Sequence, residues 1–353
     1  MRHPVLFRAL ALTACSLCLL VVVLGAYVRL SAAGLGCPDW PGCYGHLTPA
    51  AAAADMHSAS GSAARIAAHS GLPLEMGKAW REMLHRYAAS ALGLLILCLT
   101  LMTLLWRRER IAPARLVLAL LAIVLMQGLF GMLTVTWRLN PLIVTLHLLF
   151  GLTTLSLLWW LMLELMQRRE RSRPLGTPDG DGVALARPLA LLALLALVLQ
   201  IALGGWTSSN YAAIACPDLP TCQGRWWPHA DFHGAYTLWH AAVSAPALVA
   251  IHLTHRIGAM IASAALLAAS LTALWRRSEP LVRRPAIAVL AMLALQLTLG
   301  VSMVLRGFPL WLATAHNAGA ALLLLATLWL NNSLRPLPAA APRPVWVPSI
   351  SPP

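Results

Sequence analysis

The sequence predicts an all-α polytopic membrane protein whose eight transmembrane helices form two four-helix bundles in parallel repeat. Three observations carry this expectation. Of 353 residues, 59% are hydrophobic and only 11% charged, against about a quarter charged in soluble chains. Eight apolar runs, uncharged but for Arg86 in the second and Arg256 in the sixth, approach or exceed the ~20 residues needed to cross ~30 Å of hydrocarbon. Finally, the second half of the chain repeats the motifs of the first in the same order.

In chain order the runs are approximately 9–28, 84–106, 116–137, 142–163, 188–208, 238–275 with its apolar part late, 286–305 and 309–332. In lipid every backbone N–H and C=O must be satisfied within its own segment, so each run is expected to be helical. The first follows Arg2 and Arg8 as a signal peptide would, and Leu12-Thr13-Ala14-Cys15 imitates a lipoprotein cleavage site. It is too long for a signal core and continues past Cys15, so it is read as a retained span. No Arg- and Ser-rich amphipathic leader precedes it, which favours a bacterial inner membrane.

The net charge of +14 raises nucleic acid as a partner, but 25 of the 26 basic residues are Arg, mostly in short clusters between apolar runs. That is the pattern of cytoplasmic loops beside a lipid bilayer, and no nucleic-acid partner is expected. Arg107, Arg108, Arg110 and Arg115 lie between the second and third runs. Arg168, Arg169, Arg171, Arg173 and Arg187 lie between the fourth and fifth, and Arg276, Arg277, Arg283 and Arg284 between the sixth and seventh. The other connections carry only Arg65, Lys78 and Arg81, then lone Arg138, Arg225 and Arg306. Both termini are therefore expected in the cytoplasm.

The repeat divides the chain into an N-terminal half (1–173), a linker (174–186), a C-terminal half (187–334) and a Pro-rich tail (335–353). Cys37-Pro38-Asp39-Trp40-Pro41-Gly42-Cys43 matches Cys216-Pro217-Asp218-Leu219-Pro220-Thr221-Cys222, and His85-Arg86 matches His255-Arg256. Gln127, Gly131, Pro141 and His147 match Gln296, Gly300, Pro309 and His316. Halves of one topology would be related by an axis along the membrane normal, with equivalent site residues facing into each bundle.

Cys15, Cys18 and Cys98 sit within spans, where a thiol is a small hydrophobe. Cys37, Cys43, Cys216 and Cys222 lie in loops expected on the oxidising periplasmic side, where a structural disulfide in each is expected. For the first pair a redox-active role stands beside the structural one. Neither loop has the usual spacing of a zinc site.

Four of twelve histidines occupy matched positions near the cysteine-loop ends of the even-numbered spans: His85, His147, His255 and His316. A single buried histidine is most simply a hydrogen-bonding group. Four at equivalent depth, two per bundle, are what bis-axial ligation of two haems requires. Zinc or copper tolerates such ligands but needs no cavity lined by Leu, Ala and Gly.

The repeat, the Cys-Pro-Asp-Trp-Pro-x-Cys loop, Glu82-x-x-His85-Arg86, Leu146-His147-Leu148, His252-x-x-His255-Arg256 and Ala315-His316-Asn317 together resemble the haem A synthase family, over about residues 5–333. The resemblance implies oxidation of the C8 methyl of haem O to the formyl of haem A, by successive hydroxylation and loss of water. It implies a haem b cofactor ligated by His255 and His316, a substrate haem held by His85 and His147, and Glu82 as the catalytic carboxylate. By the same resemblance haem O synthase is an expected partner, alongside an electron donor and with an oligomer allowed. The repeat supports the division of labour independently, because Glu82 lies one turn before His85 while its counterpart is His252.

An ion pair with Arg81 or Arg86 is the structural alternative for Glu82. Arg86 and Arg256 suit haem propionates, and equally lipid headgroups. Trp40, Trp80, Trp226 and Trp227 read as interfacial belt residues. Residues 50–72 read as a flexible insertion with His57 and His69 solvated, and no role falls to His46, His229, His233 or His240. Two other classes compete. A quinone-linked bis-histidine haem b electron carrier needs neither Glu82 nor the cysteine loops. A transporter of parallel repeats would show Gly/Pro-broken helices at the midplane.

Overall fold

The computed structural model describes residues 2–58, 61–109, 111–170, 181–237, 243–276 and 280–335. Arg110, Arg171, Arg173, Arg277, His240, most of the linker and nearly all of the tail lie outside the described residues. Among those described there are ten α-helices and no strand. Eight are long and apolar enough to cross a membrane: α1 (Arg2–Leu30), α4 (Met76–Leu105), α5 (Ala114–Thr136), α6 (Pro141–Glu170), α7 (Asp181–Ser209), α8 (Ala245–Arg276), α9 (Pro280–Leu305) and α10 (Leu310–Ser333). Two short ones, α2 (Pro49–Asp55) and α3 (Ser62–Ser70), follow α1.

Most of the helices outrun the uncharged stretches that announce them. α4 begins at Met76, so Lys78 and Arg81, expected in the first loop, are helical together with Glu82, His85 and Arg86. Ionic groups at the wet end of a span cost little, and the backbone gains by continuing its ladder. α6 opens on Pro141, whose missing N–H would be unpaired there in any case.

Each half closes on itself: α1 packs on α4, α4 on α5, α5 on α6 and α6 back on α1, and α7 to α10 follow the same cyclic order. The halves meet through α6 against α7 and through α10 against α1 and α6. One continuous apolar core joins them. On α7 the buried positions Ala186, Ala190, Ala193, Leu197 and Ile201 form one stripe, while Leu191, Leu195 and Leu199 on another face are exposed. Small residues on the packed face let backbones approach where hydrophobicity alone gives no drive, and the leucines are left for lipid. Trp40, Trp80, Trp226 and Trp227 are exposed around the cysteine-loop end, as belt residues should be.

Residues 50–72 depart from the sequence expectation, because they fold into α2 and α3 rather than forming a flexible insertion. Thr48 caps α2 by accepting the Ala51 N–H at 3.2 Å, and Gly71 at φ 71° ends α3. Asp55 holds the two together, accepting from the Ala63 N–H at 2.9 Å and the Ser62 hydroxyl at 3.1 Å while contacting His46 Nε2 at 3.1 Å. His57 and His69 are exposed, as expected. His46, given no role by the sequence, is the partner that ties this cap to the first cysteine loop.

The Ala63 amide, His46 and the Ser62 hydroxyl pull the Asp55 carboxyl from 3.8 down to about 2. A depressed folded value means that its contribution is complete above the ordinary value and is lost as pH falls toward about 2. Asp55→Ala is expected to accelerate amide exchange across 49–70 at neutral pH. In the wild type the same acceleration appears only in acid, below about pH 4.

Candidate functional site

The two cysteine loops are built alike. Disulfides join Cys37 to Cys43 and Cys216 to Cys222, while Cys15 and Cys18 are free and buried and Cys98 is free. Within each loop an Asp accepts two consecutive backbone amides: Asp39 from Tyr44 at 2.6 Å and Gly45 at 2.7 Å, Asp218 from Gln223 at 2.6 Å and Gly224 at 3.0 Å. All four donor residues have positive φ, so the chain turns back over the carboxylate. The Thr221 hydroxyl and those amides bring the Asp218 carboxyl down to about 2.

An arginine from the following span then clamps each loop. Arg86 Nη1 donates to the Asp39 carbonyl at 2.9 Å and the Gly42 carbonyl at 2.5 Å. Arg256 donates to the carbonyls of Thr221 at 2.8 Å and of Cys216 and Asp218 at 2.9 Å. The sequence weighed propionates and headgroups as partners for these forks. The structure supplies a third set, loop carbonyls that would otherwise be unpaired.

Glu82 is 4% exposed. One carboxylate oxygen accepts from Arg86 Nη2 at 2.5 Å and the other from the Cys37 amide at 2.9 Å. Its ion pair is thus with Arg86, while Arg81 Nε is bonded to the Gly77 carbonyl. At the matched place in the second half His252, also 4% exposed, accepts from Arg256 Nε at 3.3 Å, and its Nδ1 has no partner among the described residues. The two halves therefore share a clamp and differ in the group one turn before the histidine.

The four matched histidines each lie against a glycine of a neighbouring helix. A Cβ on Gly25 would stand 2.9 Å from His85 Cε1, on Gly131 3.4 Å from His147, on Gly204 3.0 Å from His255 and on Gly300 3.1 Å from His316. A glutamine attends three of them: Gln127 Nε2 lies 3.5 Å from His147 Nε2, Gln296 Nε2 3.2 Å from His316 Nε2 and Gln200 Nε2 3.0 Å from His255 Nδ1. Yet among the described residues the buried Nδ1 atoms of His85, His147 and His316 have no hydrogen-bond partner, nor do the Oε1 atoms of all three glutamines. A buried unpaired polar atom costs about 1–3 kcal/mol, so this concentration calls for a ligand.

A cavity of about 490 Å³ opens in the first half, lined by Gly25, Arg29, Glu82, His85, Gln127 and His147 among mainly apolar neighbours. Asn317, next in sequence to His316, also lines it, so one wall belongs to the second half. Among the described residues no three His, Cys, Asp or Glu side chains cluster to hold a bare metal ion. Paired imidazoles beside an apolar cavity suit an iron that brings four equatorial ligands of its own.

A family model for the cytochrome oxidase assembly proteins matches residues 8–328. The chain belongs to this family. It is similar to the haem A synthase of Shewanella oneidensis, with 42% identity over 90% of this chain and 93% of that protein. It is also similar to the haem A synthases of Caulobacter vibrioides, 31% identical over 86% of this chain and 89% of that one, and of Erythrobacter litoralis, 30% identical over 89% and 93%. Family membership and the eight apolar helices agree on a multi-pass membrane protein. Neither the electron-carrier nor the transporter reading has comparable support.

Sequence reasoning missed the glycine backing and Gln200. Gln200 matches Val21 in the repeat and gave no signal, but the glycines carried one, since Gly25 and Gly204 keep the same register as Cys37 and Cys216. It acquires meaning only once α1 is known to pack on α4 and α7 on α8.

Proposed function

We propose that this protein is a haem A synthase, oxidising the C8 methyl of haem O to the formyl of haem A by two hydroxylations and loss of water. The observation that carries this reading is a repeat whose symmetry breaks one turn before the first histidine of each pair. Both halves hold a glycine-backed pair of imidazoles, and among the described residues only the first sets a buried carboxylate beside its pair.

His255 and His316 would hold a haem b cofactor, and His85 and His147 the substrate haem O and then haem A. The residues fit such a group on two counts: buried ring nitrogens of His85, His147 and His316 without a partner among the described residues, and glycines that let all four rings lie close against the neighbouring helix. When bound, haem b supplies one-electron redox chemistry. The chain's own residues do the rest. Gln127, Gln200 and Gln296 restrain ring orientation, as outer-shell partners of metal-bound histidines do. The apolar cavity wall excludes water from the reacting edge. Glu82, fixed through both oxygens, presents a negative charge in a low-dielectric site where cation character develops, and can accept a proton released during oxidation.

The same reading places the chain in the bacterial inner membrane, with both termini cytoplasmic and the disulfide loops periplasmic. The Arg clusters support this, since they fall in the connections that alternate along the chain with those carrying the cysteine loops. The two halves act as units 1–173 and 187–334, with haem O synthase and an electron donor as partners.

Chromatography of haems extracted from the purified protein tests the proposal. Haem b together with haem O or haem A is expected. Two equivalents of a single haem would make the protein a carrier, and a colourless preparation would leave neither. Gly204→Ala, which drives a methyl to 3.0 Å from the His255 ring, is expected to lower haem b content severalfold. Gly25→Ala, at 2.9 Å from His85, should spare haem b and lower bound haem O and haem A.

A further inference from the structure

Arg29 stands in the last turn of α1 and lines the same cavity as Glu82, His85 and His147. Its repeat counterpart is Ser208, 179 positions along, the register that also relates Cys37 to Cys216. The first half therefore carries two charged groups at its cavity that the second lacks, Glu82 and Arg29. Arg29 Nη2 donates to the carbonyls of Ser208 at 2.8 Å and Ser209 at 3.2 Å, in the final turn of α7, where unpaired carbonyls and the helix dipole favour a cation. The guanidinium lies 4.0 Å from the centroid of the Tyr211 ring. Its Nε is buried and has no hydrogen-bond partner among the described residues. Among the described residues its side chain forms none of the salt bridges found.

We propose that Arg29 receives a carboxylate of the tetrapyrrole bound in the first half, a propionate of haem O, and thereby sets which edge of the ring faces Glu82. This rests on the reading of that cavity as the substrate haem site. Two axial imidazoles fix an iron porphyrin along one axis and leave rotation about that axis unrestrained. An off-axis charged contact removes the freedom, and a planar guanidinium is the group best matched to a carboxylate. Arg86, the other arginine at this cavity, spends both Nη1 and Nη2 on loop carbonyls and Glu82, whereas Arg29 bonds the α7 carbonyls through Nη2 alone and keeps a buried Nε free of any hydrogen bond among the described residues. The second half, whose haem reacts at no particular edge, has Ser208 there instead.

The test uses full-length protein purified from cells unable to make haem O, titrated with haemin and with haemin dimethyl ester and followed by absorbance. Wild type is expected to bind the diacid about tenfold or more tighter than the ester. Arg29→Gln should lose that preference by weakening haemin alone, and Arg29→Lys should restore part of it. Equal weakening of both ligands, or no change in either, would reduce Arg29 to a tie between the ends of α1 and α7 and overturn the proposal. Should Arg29→Gln fail to fold, the wild-type comparison decides, since equal affinity for acid and ester also overturns it. His85→Ala and His147→Ala are measured alongside. If neither alters the titration, the substrate-site reading fails on its own, whatever Arg29 does.

Discussion

Glu82→Gln is expected to cut haem A formation by at least about 100-fold while haem b content stays at the wild-type level. The magnitude is that of a positioned acid–base or charge-stabilising group in a water-poor site. The substitution preserves shape but removes the charge that Arg86 Nη2 and the Cys37 amide both address. Because the new amide nitrogen must face one of those donors, some local loosening will accompany the loss. Glu82→Asp separates the two effects, since it keeps the charge and shortens the reach, so an intermediate rate is expected. Extracted haems, separated chromatographically and scaled to protein, give both readouts. If Glu82→Gln produced haem A within a few fold of wild type, the carboxylate would have no part in the chemistry and the asymmetry of the repeat would need another explanation.

His316→Ala and His255→Ala are expected to strip haem b to below about a tenth of its wild-type content and to abolish haem A formation with it. Changes in the outer shell of a metal site alone cost about 10–100-fold in affinity, and losing a ligand costs more. Each substitution also strands a glutamine, Gln296 or Gln200, without its ring partner. His85→Ala should retain haem b, which makes the pair of experiments a test of which half holds which haem. The pyridine haemochrome spectrum of the purified protein measures it directly. Unchanged pigment in both C-terminal variants would remove those histidines from ligation.

Several features were readable from the sequence because they depend on one residue and its solvent. Each of the eight spans announces itself through the absence of charge over a membrane's thickness. The matched cysteine loops likewise carry their turn chemistry in their own Pro, Asp and Gly residues. Where order depends on a specific hydrogen-bond partner, reading failed. The Ala- and Ser-rich stretch at 50–72 has too few large apolar residues to show a helical period, and its order comes from Asp55 meeting His46 and Ser62. The forks of Arg86 and Arg256 were visible, but the carbonyls they bind have no side-chain signature.

The count of spans, the two sets of imidazoles and the single acid among them were determined by the sequence alone, because hydrocarbon penalises an ionisable group whatever its neighbours are. The tertiary structure decided that Gly25 and Gly204 clear room beside His85 and His255, that Glu82 is pinned to the Cys37 amide, and that Arg29 reaches the end of α7. Those contacts follow from which helix lies against which, and that is set by packing across the whole bundle.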